Sequence, residues 1–226
     1  MTKRKVVLFG IEDTASLAHY YLTKDSDYEV VAFTLTTEYI KQEQASHTSL
    51  GKDYPVVAYE SLTKEYHPSE FLLFSPMTGA KMNVSRQTIF ETGKRMGYEH
   101  VTYVSSKAST FDNSIGENCF ILEDNTIQPF VSIGNNVVMW SGNHIGHHSK
   151  INDNVFFTSH VVLSGHCHVK NNCWFGVNST IRNALTLEEK TLVAMGACVT
   201  KSTDRNGVYV GIPAKKISDS SIDFMV

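Results

Sequence analysis

Ile145-Gly146-His147-His148-Ser149-Lys150-Ile151-Asn152-Asp153-Asn154-Val155-Phe156-Phe157-Thr158-Ser159-His160-Val161-Val162-Leu163 is the most informative run of the chain. A large apolar residue returns at every sixth position: Ile145, Ile151, Phe157, Leu163. Followed outward, the same step starts at Ile115 and passes Ile121, Ile127, Ile133 and Met139. Beyond Leu163 it continues through Val169, Phe175, Ile181, Leu187 and Val193 to Val199. No polar residue interrupts it. With 42% of the chain apolar, such a run in some register would arise by chance about once in 10⁵.

Period six matches neither an amphipathic helix nor a simple alternating hairpin. It matches short strands separated by tight turns, each sending one large side chain inward. Three strands then make a triangular coil of 18 residues, and successive coils stack at about 4.8 Å. Glycine follows the aliphatic at Gly116, Gly134, Gly146 and Gly176, read here as turn positions. The fourth residue after each aliphatic is mostly small: Cys119, Val131, Val137, Ser149, Val155, Val161, Cys167, Cys173, Ser179, Thr191, Ala197. Three of the four cysteines sit there as packing residues. With no C-x-x-C spacing, free thiols in a cytoplasmic protein are expected.

The remaining composition narrows the function classes. The chain has 226 residues, with 20 Lys+Arg against 23 Asp+Glu and a net charge of −3. That balance gives no electrostatic footprint for nucleic acid. No apolar run approaches the ~18 residues of a membrane span. Residues 1–10 read as a first strand rather than a signal peptide.

The first hundred residues have another rhythm. Strands are predicted over Lys5–Gly10, Glu29–Leu35, Pro55–Tyr59, Phe71–Ser75 and His100–Val104. Helices are predicted over Ala15–Thr23, with Leu17, Ala18 and Tyr21 on one face, and over Val84–Met96, ended by Gly97. This alternation implies a small parallel βαβ sheet. Ligands bind such sheets beyond the carboxyl ends of the strands, so the Gly10–Ala15 loop, the stretch after Phe33 and Ser75–Gly79 are the candidate binding loops. A phosphate or sugar at the helix start after Gly10 is one reading; a plain turn is the other.

Six of the ten histidines fall between His144 and His168. His148 and His166 are 18 apart, so they stack on adjacent coils. His147 is 18 from Gly165, where an absent side chain leaves room beside the imidazole. That geometry favours His147 as a working base. The bland alternative is a solvent-exposed, histidine-rich turn. The tail, Val208-Tyr209-Val210-Gly211-Ile212-Pro213-Ala214-Lys215-Lys216-Ile217, offers two lysines to an anion such as a cofactor phosphate. Trp140, Phe156 and Trp174 lie off the inward register. They are expected to be covered by partner subunits, or to pack beneath another part of the chain.

The hexapeptides together with Gly211-Ile212-Pro213-Ala214-Lys215 resemble the left-handed β-helix acyltransferases that use acetyl-CoA. With a βαβ domain ahead of the coil, the chain is similar to bacterial sialic-acid O-acetyltransferases and to the N-acetyltransferases of nucleotide-linked amino sugars. The hand of the coil comes from this resemblance, since periodicity does not supply it. The resemblance implies a substrate domain over 1–104, an acyltransferase coil over 105–200 and a tail over 201–226 that completes the CoA site. It implies a cytoplasmic homotrimer with active sites between subunits, acting in surface polysaccharide synthesis. It matches His147 to the family's catalytic base and puts His148 where an acidic residue usually orients it. Phe156, Gly165, Val177, Met195, Gly196, Gly211, Pro213 and Lys215 fall at cofactor-contact positions. Gly10, Glu12, Phe33 and Ser75 fall in the sugar-binding region. No metal is expected.

Three functions follow for testing. The first is an acetyl-CoA-dependent sugar N-acetyltransferase, or its O-acetylating counterpart. The second is a zinc carbonic-anhydrase-like trimer, disfavoured because the histidine spacing predicts no convergent ligands. The third is a non-catalytic scaffold.

Overall fold

The computed structural model describes residues 3–43 and 53–224. It separates into two compact units: one runs up to Thr78 and includes Thr88–Tyr103, and the other comprises Gly79–Gln87 and Val104 onward.

The first unit is a four-stranded parallel sheet. Its strands are β1 (Arg4–Phe9), β2 (Tyr28–Leu35), β3 (Val56–Ala58) and β4 (Leu72–Phe74), in the order β3-β2-β1-β4. Val6, Val7 and Leu8 are wholly buried, as expected of a strand covered on both faces. Helix α1 (Asp13–Lys24) buries Ala15, Ala18 and Leu22, a face shifted from the predicted one. Two short helices, α2 (Thr37–Glu43) and α3 (Leu62–Glu65), were not anticipated. Helix α4 (Val84–Arg95) ends as expected: Gly97 takes a φ of +91° and donates its N–H to the Lys94 carbonyl. The strand expected over His100–Val104 shrinks to β5 (Tyr103–Val104), with an isolated bridge between His100 and Leu73.

His100 gives this unit a pH dependence. It is buried edge-on against Phe90, and its ring finds only a marginal partner at the Tyr98 backbone. Burial, aided by Lys94, pushes its pKa down to about 3. Below its ordinary value near 6.5 the unfolded chain takes up a proton that the folded chain refuses. The contribution is therefore complete above pH 6.5 and is lost as the pH falls from there toward 3. Between pH 7.5 and pH 5, wild type should lose about 2 kcal/mol more stability than His100→Leu. Urea unfolding at the two pH values measures this, and equal losses would reject it.

The second unit is the coil. Fifteen two-residue strands, β6 (Ser114–Ile115) through β20 (Cys198–Val199), lie six residues apart and form three parallel sheets. The first face contains β7 (Phe120–Ile121), β10 (Val138–Met139), β13 (Phe156–Phe157), β16 (Trp174–Phe175) and β19 (Leu192–Val193). The second contains β11 (His144–Ile145) and β14 (Val162–Leu163), and the third contains β12 (Lys150–Ile151) and β15 (His168–Val169). Each residue pairs with its counterpart 18 positions on, as in Ile145 with Leu163. Every repeat aliphatic from Ile121 to Val199 enters one core, and Ile115 packs against it half-buried. The small positions are buried as well.

The turns work differently from the expectation. The left-handed conformation falls three residues after each aliphatic, at every sixth residue from Asn118 to Gly196. Asparagine occupies that corner at Asn118, Asn136, Asn154, Asn172 and Asn178, which suits its tolerance of positive φ. Gly146 is instead needed for close approach. A Cβ there would lie 2.4 Å from the backbone nitrogen of Gly165 on the next coil.

The first face is covered from within the chain. Arg86 is wholly buried and donates to the carbonyls of Asn136 and Asn154 and to Asn83 Oδ1. Desolvation draws its pKa down to about 9. A Cβ on Gly79 would come within 2.7 Å of Trp174. Phe156 and Trp174 are therefore covered by residues 79–87 of this chain, the second of the two expectations for them.

Candidate active site

The edge between the second and third faces carries His147, His148 and His166. His147 follows β11 at the turn, where its backbone N–H donates to Gln128 Oε1 at 2.9 Å. Its carbonyl accepts from the His166 N–H at 2.9 Å. Backbone contacts to the neighbouring coils thus fix its Cα. His148 and His166 both take the left-handed corner conformation. Their rings stack at 4.9 Å and 14°, and Phe130 caps the column 4.6 Å from His148. The His147 ring stands perpendicular to both, with Nδ1 3.0 Å from His148 Nδ1.

A Cβ on Gly165 would lie 3.0 Å from His147 Cε1 and Nε2. The Cε1–Nε2 edge of the imidazole thus uses the room that the glycine leaves, while the His147 side chain as a whole is exposed. The Gly165 N–H donates to no hydrogen bond among the described residues. When His147 Nδ1–H donates to His148, the lone pair is on Nε2, beside Gly165, the tautomer a base requires. His148 is thus the side-chain hydrogen-bond partner of the His147 ring.

The other histidines disperse. His144 points outward from β11, and His160 sits at the corner between the first and second faces. His168 lies on the third face with Nε2 3.2 Å from Asn152 Oδ1; burial first, then Lys170 and Lys150, lowers its pKa. The expectation that no ligand set converges is corrected: His147, His148 and His166 bring ligand atoms within 4.8 Å of one another. The register signalled part of this, because 148 and 166 share a corner position and 147 adjoins one of them; the meeting of all three rings is set by side-chain torsions.

The residues matched to the cofactor occupy four places. Gly165 belongs to the histidine edge. Val177, Met195 and Gly196 lie at the corner between the first and second faces, where Met195 is 76% exposed and a Cβ on Gly196 would meet nothing within 4 Å. The tail adjoins that corner. After β21 (Val208–Val210) the Gly211 carbonyl accepts from Cys198 N–H at 3.0 Å, and Ala214 N–H donates back to the Cys198 carbonyl at 2.7 Å. Pro213 lies between these contacts, and strand β22 (Lys215–Ser218) returns antiparallel. Lys216 is held by Asp204 at 2.7 Å and Asp219 at 2.8 Å, which raises its pKa. Lys215 makes no ion pair among the described residues and is the lysine left for an anion. Phe156 corrects its expectation: at 5% exposure, with the Arg86 guanidinium 5.8 Å above its ring, it offers no side-chain surface to a cofactor.

In the first unit, Gly10 and Glu12 lie where expected, beyond the carboxyl end of β1. Gly10 has a φ of +103° and donates to the Thr34 carbonyl. Glu12 holds the N-cap position of α1 without a side-chain capping hydrogen bond, and Asp13 sits in the first turn. Two carboxylates already occupy the positive end of that helix dipole, so a phosphate there would meet like charge. Phe33 and Ser75 are fully buried; Phe33 packs beside His19 and Tyr54 and supports the sheet rather than presenting a surface. A cleft of about 480 Å³ opens at the opposite, amino ends of the strands, lined by Lys3–Lys5, Glu70–Leu72 and Glu99. No helix among the described residues is long and apolar enough to cross a membrane.

Residues 114–147 match the family model "Bacterial transferase hexapeptide (six repeats)". Among solved structures, a histidine-to-asparagine mutant of perosamine N-acetyltransferase from Caulobacter crescentus, in complex with CoA and GDP-perosamine, superposes with a TM-score of 0.83 at 19% identity. That match covers 95% of this chain and 97% of that one. The acetyltransferase domain of PglB from Neisseria gonorrhoeae, in complex with acetyl coenzyme A, gives 0.80 at 16% identity over 95% and 100%. WeeI from Acinetobacter baumannii gives 0.76 at 20% over 94% and 99%. The repeat match and these superpositions show that the chain has a hexapeptide-repeat, left-handed β-helix fold behind a small parallel sheet.

Proposed function

We propose that the protein transfers the acetyl group of acetyl-CoA to the amino group of a nucleotide-linked amino-deoxy sugar, a building block for surface polysaccharide. The observation that carries this reading is the exposed His147 imidazole, tied at Nδ1 to His148 and with Nε2 set beside Gly165. The architecture shared with a CoA- and GDP-perosamine-bound N-acetyltransferase supports the substrate class.

The residues present fit acetyl-CoA. The corner offers the exposed apolar side chains of Val177 and Met195 with open space at Gly196, as a long flexible arm needs, and Lys215 supplies a cation for a phosphate. Bound there, the thioester supplies an acyl group that is already activated. His147 Nε2 takes the proton of the attacking nitrogen and returns it to the departing sulfur. His148 holds the ring through Nδ1. The Gly165 N–H, which donates to no hydrogen bond among the described residues, is the donor proposed for the developing oxyanion. Positioning plus one base then suffices.

The Gly165 edge and the Met195 edge are different edges of one coil. A site that uses both draws on two copies, which supports a homotrimer with shared sites.

The test is thiol release from acetyl-CoA with a panel of nucleotide-linked 3- and 4-amino sugars and their hydroxyl analogues. Acceptor-dependent release with at least one amino sugar, and none with its hydroxyl analogue, is expected. Release only with hydroxyl sugars would transfer the assignment to O-acetylation. No release, together with no acetyl-CoA binding by calorimetry, would leave the scaffold reading.

A further inference from the structure

We propose that His147, His148 and His166 form a binding site for a borderline transition-metal cation, with Zn²⁺ as the probe, and that the occupied site blocks the base. The blocking half rests on the role proposed for His147; the binding half does not.

Three neutral imidazoles are a ligand set suited to zinc, nickel or copper rather than to magnesium or calcium. Their ligand atoms already lie within 4.8 Å of one another. Tetrahedral coordination at ~2.1 Å requires ligand atoms about 3.4 Å apart, so modest rotation of these exposed side chains closes the set. The backbone that carries them is not free to drift. His148 and His166 hold adjacent positions in one corner register, and the His166 N–H is bonded to the His147 carbonyl. His147 Nδ1 and His148 Nδ1, 3.0 Å apart, now share one hydrogen; a metal replaces that contact by accepting a lone pair from each ring. Three protein ligands leave one coordination position for water.

With Nδ1 coordinated to the metal, the neutral His147 ring carries its one hydrogen on Nε2, which then has no lone pair to accept a proton. Metal bound to His147 therefore removes the base, or pulls its ring away from Gly165. His148 loses its hold on His147 at the same time.

Titration of tag-free, chelator-treated full-length protein with ZnCl₂ in a calorimeter tests the binding half. One saturable site per chain is expected. His166→Ala and His148→Ala should each weaken it at least about tenfold, whereas His160→Ala and His168→Ala, at histidines outside the trio, should leave it unchanged. No saturable site, or equal weakening by His160→Ala, would overturn the assignment. The blocking half is read as acetylated sugar formed, because a released thiol binds zinc itself. Stoichiometric Zn²⁺ should abolish wild-type turnover and EDTA should restore it, and His166→Ala, measured against its own metal-free rate, should need at least about tenfold more Zn²⁺ for the same fractional loss. Wild-type turnover that persists with the site filled would overturn the blocking half and count against His147 as the base, while the metal site would stand.

Discussion

His147→Asn is expected to fold and to bind acetyl-CoA as wild type does, yet to lose turnover by about 10² to 10⁴-fold, the range for removal of a general base. Asparagine keeps the backbone contacts to Gln128 and His166, because those use main-chain atoms. What disappears is the ring nitrogen beside Gly165. The size of the loss also carries information about the acceptor. An amine that arrives neutral already has a nucleophilic lone pair and asks little of a base before attack, which places the loss near the low end. A hydroxyl must surrender its proton as it attacks, which places it near the high end. Steady-state kinetics with the best acceptor, alongside calorimetry with acetyl-CoA, makes the measurement. A kcat/KM close to wild type would remove His147 from the mechanism.

Phe157→Ala should lower the stability of the coil by about 3–5 kcal/mol. The ring is wholly buried and lies 4.6 Å from Phe175 at 7°, face to face on successive coils. Its neighbours are held by strand pairing on both sides, to β10 and β16, so the space it vacates cannot collapse. Both tryptophans of the chain, Trp140 and Trp174, belong to this unit. Their fluorescence therefore follows coil unfolding without interference from the sheet unit. An unfolding midpoint in urea close to that of wild type would show that the stacked aromatics contribute little.

Much of this architecture is legible from the period alone. A large residue every six positions fixes which side chains enter the core, and Ile121 through Val199 all do. The four-place offset of the small residues likewise locates the tightly packed positions. The corners are harder to read, because two different demands fall on neighbouring residues. Gly146 answers crowding from the next coil, while positive φ falls two residues later on His148. A reader who assigns glycine to backbone freedom merges the two. Spacing by 18 predicted the His148–His166 stack and the closeness of His147 to Gly165. It did not show that all three rings meet, because that depends on side-chain torsions rather than on register. Phe156 failed as a cofactor contact for a related reason. Its outward position was legible, but the cover over it comes from residues 79–87, and nothing in the repeat announces a distant segment.

The pairing of each residue with its counterpart 18 positions along also limits how this protein can change in length. Deleting one residue from a strand near Ile151 would throw every later aliphatic out of phase and expose half a core. Adding a whole turn, or a bulge confined to a corner, preserves the phase. Evolutionary drift in chain length should accordingly come in full turns or as corner excursions, with intermediate lengths purged at the folding step.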